Sequence, residues 1–224
     1  MSLHSSRFDL RAQAAFAAAL ILAVISPSFA AADSPSSPFP GLEPVSSKNV
    51  GALYRRPEVD TSAYNKIIIG EPEVAFSKSW NPRNYGNFGL SAAQLTKIRV
   101  DLAAMAKSVF AKTLSDGGYE IVTDATDGVL VITPNVVNVF INAPDISNAS
   151  RSKTYTMDAG SATLALQVND AVTGTLLAVA IDSKRSQSST MQWTTSASNR
   201  AAAAAMLKGW AEQLKRELDA ARAK

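Results

Sequence analysis

The chain has 224 residues, 22 basic against 19 acidic side chains, one histidine and no cysteine. Without cysteine there is no disulfide framework, no thiolate metal site and no thiol nucleophile. A formal net charge of +3 with no clustered basic stripe also lacks the electrostatic footprint of a nucleic-acid binder.

Residues 1–32 read as a secretory signal. Arg7 and Arg11 precede the apolar run Ala14–Ile25, and Ser28-Phe29-Ala30 and Ala30-Ala31-Ala32 both fit a small-x-small cleavage site. A membrane-spanning helix needs about 20 apolar residues, more than this run supplies, so the expectation is an exported chain with no transmembrane segment once processed. Cleavage removes His4, the only imidazole, and with it the commonest general base and metal ligand near neutral pH. No cofactor and no metal ion is expected.

Residues 33–60 hold half of the ten prolines, with many serines. Proline fixes φ and lacks an N–H, so this stretch reads as a leader or tether. A single α+β domain is then expected over 61–224. It opens with Ile67, Ile68 and Ile69, a β-branched run that predicts a strand, and Pro72 predicts a break after it.

Between Ser91 and Gly118 the pattern is helical. Ser91 and Gln94 have capping-box spacing, and Leu95, Ile98, Leu102, Met105 and Val109 form one apolar stripe predicted to face the core. Tyr119–Val122 and Val129–Ile132 follow as strands around an Asp127-Gly128 turn. Pro134-Asn135 predicts an interruption before Val136–Ile141 resumes.

Ala162, Leu164, Leu166 and Val168 alternate with polar or small residues, and Leu177, Val179 and Ile181 do so again. Period two in both arms predicts a half-buried antiparallel hairpin, with these apolar residues pointing at the core. Asp170, Thr173 and Gly174 are its bend, since Asp accepts from backbone N–H groups ahead of it and Gly takes positive φ. Beyond Ser196, the residues Ala203, Leu207, Trp210, Leu214, Leu218 and Ala221 form the stripe of a final helix, with Trp210 as a core anchor. The element order β-α-β-β-β-β-α predicts a two-layer α+β domain, a mostly antiparallel sheet carrying two helices on one face.

These residues resemble a bacterial envelope family known as domain of unknown function 3313. The likeness rests on Asp60-x-Ser62-x-Tyr64 before the first strand, on YEIV with its acidic turn and VLVI, on the hairpin LQVNDAVTGTLLA, and on GWAEQLKRELD in the last helix. It spans about residues 60–220 and implies a periplasmic or outer-membrane-associated protein, without implying an activity. Members are often lipoproteins, whereas this chain has no cysteine to carry the lipid.

No phosphate-cradling or nucleophile-elbow motif occurs in the sequence. The segment Ser77–Ser91 carries Trp80, Arg83, Tyr85 and Phe88 among Asn and Gly. Aromatic faces beside amide and guanidinium donors are suited to gripping a sugar, a peptide or a partner surface. Two further polar loops, residues 142–158 and 183–193, add Arg151, Lys153 and Tyr155 from the first and Lys184, Arg185 and Trp193 from the second, with Arg151 and Tyr155 joining the candidate contacts. The resulting expectation is a non-enzymatic periplasmic module that binds an envelope protein or a cell-wall component. Two alternatives are a cell-wall glycan hydrolase using Glu71 and Glu73, which flank Pro72, and a structural subunit that assembles through a sheet edge.

Overall fold

The computed structural model describes residues 37–57, 59–60, 63–84, 89–142, 155–193 and 196–222, with side chains described outside 155–159 and 187–196. Eight strands form one sheet: β1 (Glu43–Val45), β2 (Ala52–Arg55), β3 (Lys66–Ile69), β4 (Val74–Phe76), β5 (Glu120–Ile121), β6 (Val129–Ile141), β7 (Tyr155–Asp170) and β8 (Leu176–Trp193). Their order is β1-β2-β8-β7-β6-β3-β5, and β4 pairs β6 beyond the end of β3. The two helices, α1 (Ala92–Asp116) and α2 (Ser196–Arg222), pack on one face of this sheet. The pairings among β1, β2, β8, β7 and β6 are antiparallel. Those of β3 with β5 and β6, and of β4 with β6, are parallel. The α+β class and the helices on one face are as expected.

Local chemistry explains most of these elements. α1 starts at Ser91, whose hydroxyl accepts from the Gln94 N–H while the Gln94 side chain accepts from the Ser91 N–H, so the capping box is complete. The bend after β7 is built by Asp170, whose Oδ1 accepts from the N–H groups of Val172 (3.0 Å) and Thr173 (2.7 Å). Gly174, at φ +68°, closes it by donating to the Asp170 carbonyl. Those N–H groups, and the Tyr64 hydroxyl at 2.9 Å, hold the Asp170 carboxyl below its usual range. The hydroxyl of Tyr64 thus fastens the entry to β3 onto this hairpin bend.

Three expectations are corrected. Part of the Pro-rich leader belongs to the sheet: β2 pairs with β8, Leu53 is buried, and β1 forms the outer edge. The prolines of this leader lie outside β2, and Pro44 falls in edge strand β1, where a missing N–H costs no ladder bond. Three side chains, two from α2 and one from β8, anchor the segment. Glu217 accepts from Ser47 and Asn49 (2.7 Å each), Asp182 accepts from the Gly51 N–H (3.0 Å), and Gln213 donates to the Asn49 carbonyl.

The second correction concerns Pro134. β6 runs unbroken through Pro134-Asn135, in register with Leu166 and Ala165 of β7. The interruption lies instead beside β6, between β3 and β4, where Pro72 was expected to make a break. There the Asn135 side-chain oxygen accepts from the Glu73 N–H at 2.9 Å, and the Val136 N–H donates to the Glu73 carbonyl at 2.8 Å. The irregularity of β6 comes later, between Val137 and Phe140, where Asn138 takes φ 52°. Gly160 on β7 meets this bulge at φ +145°, and a Cβ there would collide with the Phe140 carbonyl oxygen.

The third correction is one of phase. Leu164 and Leu166 lie opposite Asp182 and Ala180, whereas Gln167 lies opposite Val179 and Ala165 opposite Ile181. A register shift next to Val168 leaves Leu177 in the core, but Val179 and Ile181 face away from the helices. On that outer face Val179 is paired with Tyr54, whose ring meets Phe39 edge-on at 5.2 Å. β8 therefore offers the helices Ala178, Ala180 and Asp182. This small surface accepts the indole of Trp210, which is 1% exposed and donates to Asp182 at 2.8 Å.

Candidate functional site

The helices run parallel. At their C-terminal ends Tyr119, just past α1, donates to Asp219 of α2 at 2.9 Å, and the Arg222 guanidinium stacks 4.1 Å from the Tyr119 ring. Here the contact is tight: Phe110 and Leu114 of α1 and Leu207, Trp210, Ala211 and Leu214 of α2 are all buried. Toward their N-termini the helices part. Leu95, Ile98, Leu102 and Met105, expected to be core, are only half-buried, and so are Ala202, Ala203 and Met206 opposite them.

The opening between them is a groove of about 550 Å³. One wall is α1, through Ile98, Leu102 and Met105, and the other is α2, through Ala203, Met206 and Leu207. Its floor is the sheet, where Val136, Val139, Phe140 and Ala162 lie. Among the described residues, the polar members of the two walls sit at the helix starts: Gln94, Lys97 and Asp101 on α1, and Asn199 and Arg200 on α2. The Asp101 carboxylate accepts from Lys97 at 2.9 Å and faces Arg200 across the groove at 3.7 Å. The hydrogen bond from Lys97 holds this carboxyl below its usual range, assisted by the charges of Lys97 and Arg200.

The three polar segments singled out in the sequence are anchored around this groove. Leu90 lies near the end of the first, Ile141 and Gly160 flank the second, and Ser186 lies within the third, which is not a loop but the end of β8; all four residues line the groove. The expected contact residues are placed less uniformly. Trp80 is 5% exposed, donates to the Ile141 carbonyl at 2.9 Å and stacks on Phe76 at 4.5 Å, so its ring fills the domain's interior. Arg83 is exposed on a short 3-10 turn, Pro82–Asn84, which accepts from the Leu90 N–H through Pro82. Tyr85, Phe88 and Arg151 lie outside the described residues, as does the side chain of Tyr155, the first residue of β7.

Glu71 and Glu73 are both exposed, and Glu71 is paired with Lys107 of α1. Neither lines the groove. Among the described residues no group of three or more His, Asp or Glu side chains could hold a metal ion. Also among the described residues, no helix is long and apolar enough to cross a membrane.

The groove walls were present in the sequence only as helical stripes. A three- and four-residue period reads the same whether the stripe is covered or left open, so no local signal marked Leu102 and Met105 as half-open, and the buried Ala106, Phe110 and Leu114 follow a phase one position beyond that stripe.

Several solved structures resemble the chain at low identity. A PelC dodecamer from Paraburkholderia phytofirmans is 12% identical, with 70% of this chain and 94% of that chain covered, at a TM-score of 0.33. A putative neuraminyllactose-binding hemagglutinin homolog from Helicobacter pylori is 13% identical, covering 69% of this chain and 89% of that one, at 0.34. A DUF4136 family protein from Bacteroides thetaiotaomicron is 10% identical, covering 78% and 97%, at 0.33. No curated protein matches the chain. The family described as "Protein of unknown function (DUF3313)" matches residues 32–214, and the chain belongs to it.

Proposed function

We propose that this chain is an exported, non-enzymatic binding module of the bacterial cell envelope, and that it binds an apolar ligand in the groove between α1 and α2. The observation that carries this reading is the parting of the two helices, which, among the described residues, leaves their apolar stripes half-covered above the sheet. Apolar side chains left half-open in this way forgo part of the roughly 1.5–3 kcal/mol that full burial of a large one is worth. A ligand that covers them recovers part of that energy. The volume falls within the range of small-molecule sites, about 300–1,000 Å³.

Export is supported by the pattern of Arg7, Arg11 and Ala14–Ile25. The glycan-hydrolase alternative finds less support. Glu71 and Glu73 are open to water, and a general acid needs surroundings that keep it protonated. Assembly through a sheet edge is less supported at β1, which has three residues including Pro44, and at β5, which has two, because such edges are short templates for another strand. Among the described pairings β2 covers only Ala178–Ile181 of β8, so the rest of that long strand keeps an open outer side.

Titration of the purified chain with the neutral dye N-phenyl-1-naphthylamine should give a saturable rise in fluorescence. Ala203→Trp fills the groove from one wall and Met105→Trp from the other, and both should abolish the rise while the melting temperature is kept. A signal unchanged in both folded variants would remove the groove as the binding site.

A further inference from the structure

The polarity of the groove changes along its length. On α1 the polar lining residues Gln94, Lys97 and Asp101, with Ile98 among them, give way to Leu102 and Met105; on α2 Asn199 and Arg200 give way to Ala203, Met206 and Trp210. Because the helices are parallel, the two gradients run in the same direction. One end of the groove is charged and the other, where the helices converge, is hydrocarbon. From Gln94 to Met105 the wall extends about 16 Å at the helical rise per residue.

Among the described residues, the charged end is unbalanced. Lys97 and Arg200 share the single carboxylate of Asp101, and their side chains are 72% and 65% exposed. Arg200 lies 3.7 Å from Asp101, too far for a good charge-assisted hydrogen bond, so its guanidinium can take a second anion. Both helices also begin at this end, which adds to the positive potential. At the other end a polar ligand group would face Leu102, Met105 and Met206 and lose its hydrogen bonds on entry.

Building on the groove reading above, we infer that the ligand is a single-chain amphiphile: an aliphatic chain lying between the helices, with one anionic head group at Lys97 and Arg200. Methionines suit such an occupant because their unbranched, polarizable side chains adapt to a flexible chain.

The test is displacement of N-phenyl-1-naphthylamine from the purified chain by dodecanoate and, separately, by uncharged dodecanol. Dodecanoate should compete at a concentration about tenfold lower, equivalent to about 1.4 kcal/mol. The double variant Lys97→Gln/Arg200→Gln should erase that difference while dodecanol competes as before, and an unchanged melting temperature will show the variant folded. Equal competition by both compounds, unaltered in the double variant, would overturn the head-group assignment and leave the groove reading standing. If the dye binds but neither compound displaces it, the amphiphile inference falls and another occupant, such as a partner's amphipathic helix, takes its place. If the dye itself does not bind the unaltered chain, the groove reading falls and this inference falls with it.

Discussion

Trp80 brings its indole N–H to the Ile141 carbonyl and its ring onto Phe76, with the Arg99 guanidinium 5.2 Å from the other ring of that stack. Its position is therefore energetic. Trp80→Ala should cost about 3–5 kcal/mol, the usual penalty for emptying a buried tryptophan site, read as a shift in the urea midpoint at unchanged slope. A surface residue of the same loop such as Arg83 should change stability by less than about 0.5 kcal/mol on truncation. Tyr119 gives a second residue-scale test. Burial, and then its hydrogen bond to Asp219, push its phenol from 10.0 up to about 12. The folded state thus holds the proton more tightly than the unfolded one, so this contribution is complete below pH 10 and is lost as pH rises through 10 to 12. Asp219 has the opposite sign. Its carboxyl is held below the ordinary 3.8 by Lys215 first and Tyr119 second, so its contribution is present above about pH 4 and lost as pH falls further. Melting temperature against pH should show both declines. Tyr119→Phe should flatten the alkaline one, and an alkaline arm unchanged in that variant would contradict the assignment.

At the scale of elements, β2 is the case where composition misleads. Prolines and serines around it resemble a tether, yet Ala52–Arg55 is free of both and pairs with Ala178–Ile181. Deleting residues 33–60 removes the burial of Leu53 and four ladder positions. It should therefore lower stability by at least about 2 kcal/mol, whereas a tether would come away without effect; calorimetry of the truncated and full chains decides between them. The same distinction between local and distant information explains what could be read from the sequence. The capping box at Ser91 and the bend at Asp170 depend on residues within four positions of each other, and both were legible. The inward face of β8 depends on a register shift against β7, and the continuity of β6 through Pro134 depends on which neighbour breaks. Neither is written in the strand itself. The parallel placement of β3 beside β6 likewise needs the whole of α1 to be carried over the sheet, a crossover that alternation along one strand does not specify.

Over the sheet, the helix pair is closed at one end and, among the described residues, open at the other, and the stability of the molecule should follow that arrangement. Tyr119, Arg222, Lys215 and Asp219 join the C-terminal ends, with Lys215 donating to Asp219 at 2.6 Å. Trp210, Leu214 and Phe110 are buried beneath them. At the N-terminal ends the apolar residues are half-covered, and Arg200 of α2 meets Asp101 of α1 at the longer distance of 3.7 Å. Local opening is easiest where buried apolar contacts are fewest. Amide hydrogen exchange in native buffer should therefore be slow over 106–114 and 207–214 and faster by about tenfold or more over 95–105 and 199–206, although all four stretches are helical. The candidate site was legible in the sequence only as its two stripes and its polar surroundings, because the parting of the helices is a property of how α1 and α2 meet across the sheet. Exchange measures that property directly. A ligand that fills the groove should slow exchange in the two N-terminal stretches and leave the C-terminal ones unchanged. Uniform protection along both helices in the free chain would mean that their N-terminal halves are packed together, and the groove would not be there to fill.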